Sequence, residues 1–159
     1  MKKQVSWREK LERKSPNYGK IVDASHNKGK RLGPGKLLIP NPLDIDTLIR
    51  KIPKGKLITV SQIREHLAKD TGANTSCPLV TGIFIRIVGE TAEEDLSIGK
   101  KDITPYWRVI KEDGSLNPKF PGGVEHQASL LKKEGYKIEL GKGKKPPRVK
   151  DFGNLLYKL

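Results

Sequence analysis

The segment Thr104-Pro105-Tyr106-Trp107-Arg108-Val109 wedges two large aromatic side chains between a proline and an arginine. A flat π-face stacks on any nucleobase, so this spacing suits the floor of a pocket for a planar ligand. The same rings fill a core equally well, and the residues alone leave both readings open. Cys77 is the single thiol. A nearby helix start could lower its pKa, but no base accompanies it locally, and an ordinary small buried residue is the plainer reading. One cysteine allows no internal disulfide, and three scattered histidines (His26, His66, His126) do not make a zinc site. No metal and no cofactor are expected.

Charge is the strongest compositional feature. The chain of 159 residues carries a net charge of +14. Residues 1–42 hold 11 Lys/Arg against 3 acids, residues 139–159 hold 6 against 2, and the middle holds 15 against 13. The excess therefore lies in the flanks, where it can gain affinity for a polyanion by counterion release or serve as a solvated, solubilising surface. With 35% hydrophobic residues the chain can build one core. The longest apolar run, "LVTGIFIRIVG", is too short for a bilayer, and "MKKQVSWREKLERK" is too charged for a secretory signal. A cytoplasmic monomer without membrane association is expected.

The elements that would position these residues follow from caps and periodicity. Residues 1–40 read as a short helix and an extended basic arm, rich in Gly, Pro and Lys. Residues 41–140 form the compact unit. Asn41 is a good N-cap, Pro42 suits the first helical position, and Ile45, Leu48, Ile49 and Ile52 share a face. In "TVSQIREHLAKDTG", Thr59 and Gln62 have capping-box spacing, and the helix is expected to close at Gly72. The stretch "PLVTGIFIRIVGETAEED" is ambiguous, because β-branched residues favour a strand and Pro78 a helix start. If helical, it completes a helix-turn-helix. "ITPYWRVIKEDGSLN" predicts a hairpin or wing turning at Asp113-Gly114. Val124, Ala128 and Leu131 predict a helix stopped by Gly135, "YKIEL" a strand, and residues 141–159 a basic tail.

Four blocks, "IPKGKLITVSQI", "TGIFIRI", "TPYWRVIKEDGSL" and "FPGGVEHQASLLKKEG", occur in an order and spacing that resemble the DNA-binding domain of the O6-alkylguanine-DNA alkyltransferases and their non-catalytic alkyltransferase-like relatives. The resemblance spans roughly residues 43–138. It implies a mostly helical α+β domain with a winged helix-turn-helix that binds double-stranded DNA in the minor groove and flips a damaged guanine into a pocket. The family's pocket motif is Pro-Cys-His-Arg-Val, with the cysteine accepting the alkyl group. Here Tyr106 stands at the acceptor position, Trp107 at the activating histidine and Ile87 at the relay asparagine, leaving Glu134. A phenol with an ordinary pKa near 10 and no adjacent base does not replace an activated thiolate, so no enzymatic activity of this kind is expected.

The resemblance further implies a base pocket of Tyr106, Trp107, Arg108, Lys119, Phe120, Pro121 and Gly122, with 119–123 as its capping loop or simply a turn. It places the DNA-binding surface on Thr59, Val60, Ser61, Gln62, Thr75, Ser76, Pro78, Thr81 and Arg86. Two positions depart from the family: Val60 replaces the tyrosine that rotates the target phosphate, and Pro78 replaces the arginine that fills the flipped base's place. Expected partners are double-stranded DNA, with or without an alkylated base, and repair proteins. The alternatives are a repurposed fold binding RNA or a ribonucleoprotein through the clusters "NKGKRLGPGK" and "GKGKKPPR", and, third, an enzyme using Cys77.

Overall fold

The computed structural model describes residues 5–24 and 35–159. Among the described residues, five α-helices and seven short strands follow in the order α1 (Trp7–Glu12), β1 (Ile21–Asp23), β2 (Lys36–Leu38), α2 (Pro42–Arg50), β3 (Ile58–Thr59), α3 (Val60–Ala68), β4 (Thr75–Ser76), α4 (Pro78–Ser97), β5 (Val109–Ile110), α5 (Gly123–Lys133), β6 (Ile138–Glu139) and β7 (Arg148–Val149). This is the expected α+β class.

Local chemistry starts the helices where the sequence places them. Asn41 caps α2 by accepting from the Leu43 N–H, with Pro42 inside the first turn. Thr59 and Gln62 close a full capping box on α3: Gln62 N donates to Thr59 Oγ1 at 3.1 Å and Thr59 N to Gln62 Oε1 at 2.9 Å. The helix ends at Ala68 rather than at Gly72. Asp70, at φ 65, has already turned the chain out of the helix.

The ambiguous segment is helix throughout Pro78–Ser97. Its β-branched residues are accommodated because Thr81, Ile85, Val88, Thr91 and Ala92 share one inward face. Burial of that stripe at helical spacing outweighs a weak local preference for strand. Ile45, Ile49, Ile63, Ile85, Val88 and Tyr106 meet in the principal core. A second core lies under α5, where Leu131 and Ala128 meet Leu57, Ile110, Leu116 and Val149.

Both flanks contribute to these cores. Leu11 of α1 is fully buried in the principal core, and Val149 in the second. Strand β2 pairs antiparallel with β1 and parallel with β4, in register Leu37↔Thr75. The N-terminal segment thus pins the α3–α4 connector, which runs over 69–77 and is longer than a minimal helix-turn-helix turn. At the other end Leu57 N donates to Leu155 O at 2.9 Å, and Gln62 Nε2 to Tyr157 O at 2.9 Å. The short helix expected in the N-terminal segment forms as α1, and the segments 13–24, 35–40 and 148–157 are packed structure where the sequence suggested an arm and a tail. Their scattered apolar residues escaped notice because they lack a period. Most of the cluster 27–36 lies outside the described residues.

The expected hairpin at 103–117 takes another form. Residues Tyr106–Arg108 make one 3₁₀ turn, and β5 pairs parallel with β3 (Ile58↔Val109). The tight turn itself forms, with Gly114 N donating to Lys111 O at 2.9 Å and Lys111 N to Ser115 O at 3.0 Å. Beyond it Ser115 bridges Arg148, so the wing is completed by the C-terminal segment.

Candidate nucleic-acid interface

Tyr106 sits in the principal core with no solvent exposure. Its ring meets Phe120 edge-on at 5.1 Å and Trp107 edge-on at 5.4 Å. These T-shaped contacts are favourable for aromatic quadrupoles. The phenol donates to Glu93 Oε1 at 2.7 Å, and His126 Nε2 lies 2.9 Å from the same oxygen. Burial first, then the Glu93 hydrogen bond and charge, raise the phenol pKa well above its ordinary value of 10.0. Tyr106 is consequently a neutral donor, and a poorer nucleophile than a free phenol.

Glycine at position 89 permits this packing. A Cβ there would lie 3.2 Å from Pro121 Cδ, 3.2 Å from Tyr106 Cδ2 and 3.3 Å from Phe120 Cδ1. The aromatic segment, α4 and the 120–121 loop therefore close on one another. Of the two readings of "TPYWRV", the structure adopts the packed one at Tyr106.

Trp107 and Arg108 converge on Glu134, at the C-terminal end of α5. Trp107 Nε1 donates to Glu134 Oε1 at 2.7 Å and Arg108 Nε to the same oxygen at 2.9 Å, while a second guanidinium nitrogen of Arg108 pairs with Oε2. Arg108 also donates to Ile52 O at 2.6 Å. Burial by itself would raise the Glu134 pKa, but the hydrogen bonds from Arg108 and Trp107 and the Arg108 charge hold the carboxyl below its ordinary value. Arg108 is thus a cross-link between α2, the 3₁₀ turn and α5. Gln127, fully buried, completes the lattice: its amide donates to Trp107 O at 3.0 Å and to Val109 O at 2.9 Å.

Glu93, His126 and Gln127 escaped the sequence reading. The available signal was two carboxylates, Glu90 and Glu93, one turn apart on a helix facing an aromatic pair. Of the other pocket residues, Phe120 is buried, Pro121 is half-buried, and Lys119 and Gly122 are exposed at the rim.

The residues expected on the DNA-binding surface separate into two groups. Thr59 is buried as the α3 cap, Ser76 is buried with its hydroxyl on Arg64 O at 2.8 Å, and Thr81 is fully buried. In this conformation these three offer a nucleic acid no surface, because each faces the α3–α4 packing. Val60, Ser61, Gln62, Thr75 and Pro78 are half-buried, and Arg86 is exposed. Ser61 Oγ donates to Glu112 at 2.5 Å, and Val60 packs on the core. Arg86 has a 3.9 Å ion pair with Glu90 and lies 5.8 Å from the Trp7 ring.

Cys77 is buried against Ala24 and Leu37 in a small third cluster, with its N–H on Leu38 O at 2.8 Å. A thiol in that setting has no access to a substrate. Among the described residues no three His, Cys, Asp or Glu side chains come together as a metal site, and no helix is long and apolar enough to cross a membrane.

Residues 43–136 match the family of the 6-O-methylguanine DNA methyltransferase, DNA binding domain, and the chain belongs to that family. The match spans α2 to α5 and includes both helices of the helix-turn-helix and the aromatic site. Two solved structures share the fold. S. pombe Atl1 in complex with damaged DNA containing O6-carboxymethylguanine is 19% identical, with a TM-score of 0.51 over 74% of this chain and 94% of that chain. A crystal structure of S. pombe ATL in complex with DNA is 18% identical, with a TM-score of 0.52 and the same coverage. None of the curated proteins compared with the chain matches it in sequence.

Proposed function

We propose that this chain binds duplex DNA through the α3–α4 face and transfers no alkyl group. The observation that carries the reading is the family's DNA-binding domain over residues 43–136, with a buried tyrosine at the acceptor position. Alkyl transfer needs a thiolate and a base beside it. Tyr106 is instead a phenol held neutral by burial and by Glu93, and Trp107 can only donate.

The relative solved with O6-carboxymethylguanine DNA suggests a modified base as target. Here Tyr106, Phe120 and Pro121 crowd around Gly89, and a base enters only if Tyr106 leaves. The proposal is therefore binding that does not depend on a lesion. RNA binding through the basic stretches is the second reading. The closed Tyr106 site favours it, since a fold without a base pocket retains only its charge.

Affinity for phosphate is assigned in part to Lys142, Lys144 and Lys145, all exposed on the turn between β6 and β7. Deleting the flanks does not test this, because it strips Leu11 and Val149 from the cores. Replacing the three lysines by glutamine does. In a salt titration of a plain DNA duplex, the slope of log affinity against log salt is expected to flatten by about 0.9 for each phosphate no longer neutralised. An unchanged slope contradicts the assignment, and absence of binding by the parent chain overturns the duplex-binding reading itself.

A further inference from the structure

The pair β6–β7 leaves part of an apolar face uncovered. Side chains alternate across a strand, so in the register Ile138↔Val149 these two residues share one face, and Leu140 and Pro147 are the next positions on it. That face turns towards α5: Val149 is fully buried in the second core, and Ile138 packs against it. Glu139 and Arg148 take the opposite face and pair at 3.4 Å. The cover ends before Leu140, which is 86% exposed, more than any other large hydrophobic side chain among the described residues. Ile138, Leu140 and Pro147 thus form the floor of an open groove of about 550 Å³, with Val124 and Ala128 of α5 as its wall. The floor lies outside residues 43–136, which match the family.

The rim of the groove decides what fits it. Lys132 lies one turn beyond Ala128 on α5, and Lys133 follows it in the last turn of the helix. Both are exposed, and neither has an ion-pair partner among the described residues. Glu125 is the one acid on the rim, about 10 Å from Lys132 along the helix axis. The lining holds no aromatic and no amide side chain, so a nucleic acid finds there neither a stacking face nor a pattern for its base edges. A second copy of the chain would bring a net charge of +14 against the same lysines. An apolar floor beside two unpaired cations is complementary to aliphatic side chains flanked by carboxylates.

We propose that the groove between α5 and β6 docks an acidic amphipathic helix of a protein partner, whose aliphatic side chains cover Leu140 and the floor and whose carboxylates pair with Lys132 and Lys133. A helix laid in an apolar groove anchors itself through side chains at i, i+3, i+4 and i+7, and the exposed Leu140 receives the central anchor. The charges set its direction: the acidic end lies beside Lys132 and Lys133, and the end beside Glu125 carries no acid. The groove shares no residue with the surface assigned to DNA, so this inference stands apart from the duplex-binding reading.

The test uses the full chain and three fluorescein-labelled peptides of about 16 residues, long enough to form a helix. The first carries leucines at helical spacing with glutamates on its flanks, the second has the same composition in an order without an apolar face, and the third has lysine for every glutamate. The first is expected to bind at least about tenfold more tightly than either control and to shift the NMR signals of Val124, Ile138 and Leu140. Leu140→Ser is expected to weaken it about tenfold, with the thermal midpoint unchanged because the side chain is exposed. Lys132→Glu with Lys133→Glu is expected to weaken the acidic peptide and strengthen the lysine peptide, a gain that misfolding cannot produce. Equal binding of the first two peptides would mean that net charge alone attracts them, and it overturns the groove. Parent-like binding by Leu140→Ser, or NMR shifts confined to other surfaces, does the same. A plain DNA duplex that displaces the peptide and is itself weakened by Leu140→Ser overturns the proposal in favour of a nucleic-acid site.

Discussion

Tyr106→Ala is expected to lower the folding free energy by about 4 kcal/mol while leaving affinity for a plain DNA duplex essentially unchanged. The side chain is fully buried between Phe120 and Trp107, its hydroxyl donates to Glu93, and Trp107 is held away from the vacated space by its hydrogen bond to Glu134. Domains of this size are stable by roughly 5–15 kcal/mol, so the variant stays measurable by denaturant titration but close to the threshold. Tyr106→Phe isolates the hydroxyl. It is expected to cost only about 1 kcal/mol, since Glu93 keeps its hydrogen bond with His126. A destabilisation below about 1 kcal/mol for the alanine would show that the aromatic site is not part of the core. Weaker duplex binding at unchanged stability would place Tyr106 on the DNA.

The second large effect concerns Arg108, which the structure makes a cross-link to Glu134 and Ile52 O. Arg108→Met leaves the mostly buried Glu134 carboxylate with the Trp107 donor but without its cation, and takes the Arg108 donor from Ile52 O, and stability should fall by about 3 kcal/mol at neutral pH. The pH dependence has a definite sign. The folded-state pKa of Glu134 lies below its ordinary value of 4.5, so the pair's contribution is complete above that value. It is lost as pH falls through the lower, folded pKa. The stability gap between parent and variant should therefore be widest near neutrality and narrow on acidification. A gap that is constant across the carboxylate range would mean that Arg108 acts through packing alone.

The caps, and the stop at Gly135 though not the one at Gly72, were legible because they are local. Asn41-Pro42, Thr59 with Gln62, and Gly135 each satisfy or terminate a helix with groups a few residues apart, and the structure uses them all. What depends on distant partners was not legible. The strand-like composition of Pro78–Ser97 yields to a buried stripe that exists only once α2 and α3 are in place. Leu11 and Val149 look like isolated apolar residues in basic segments until the cores that take them are formed. At the site, the aromatic pair and Glu134 could be singled out from the sequence, but the closure could not. It requires Glu93, His126 and the missing side chain of Gly89, brought together from α4 and α5. Thr81 and Ser76 show the converse error, since position in a DNA-binding motif does not decide which face of the helix or connector a side chain takes.

The most direct measurement is a fluorescence-anisotropy titration of three matched duplexes at two salt concentrations: plain DNA, the same DNA with one O6-methylguanine, and RNA. The account predicts that the two DNA duplexes bind alike, more tightly than RNA, and weaken together with salt. Binding of the modified duplex at least ~10-fold more tightly, about 1.4 kcal/mol, would contradict the closed site by showing that Tyr106 yields its place to a base. RNA binding as tight as DNA would contradict the duplex-DNA reading and favour charge alone.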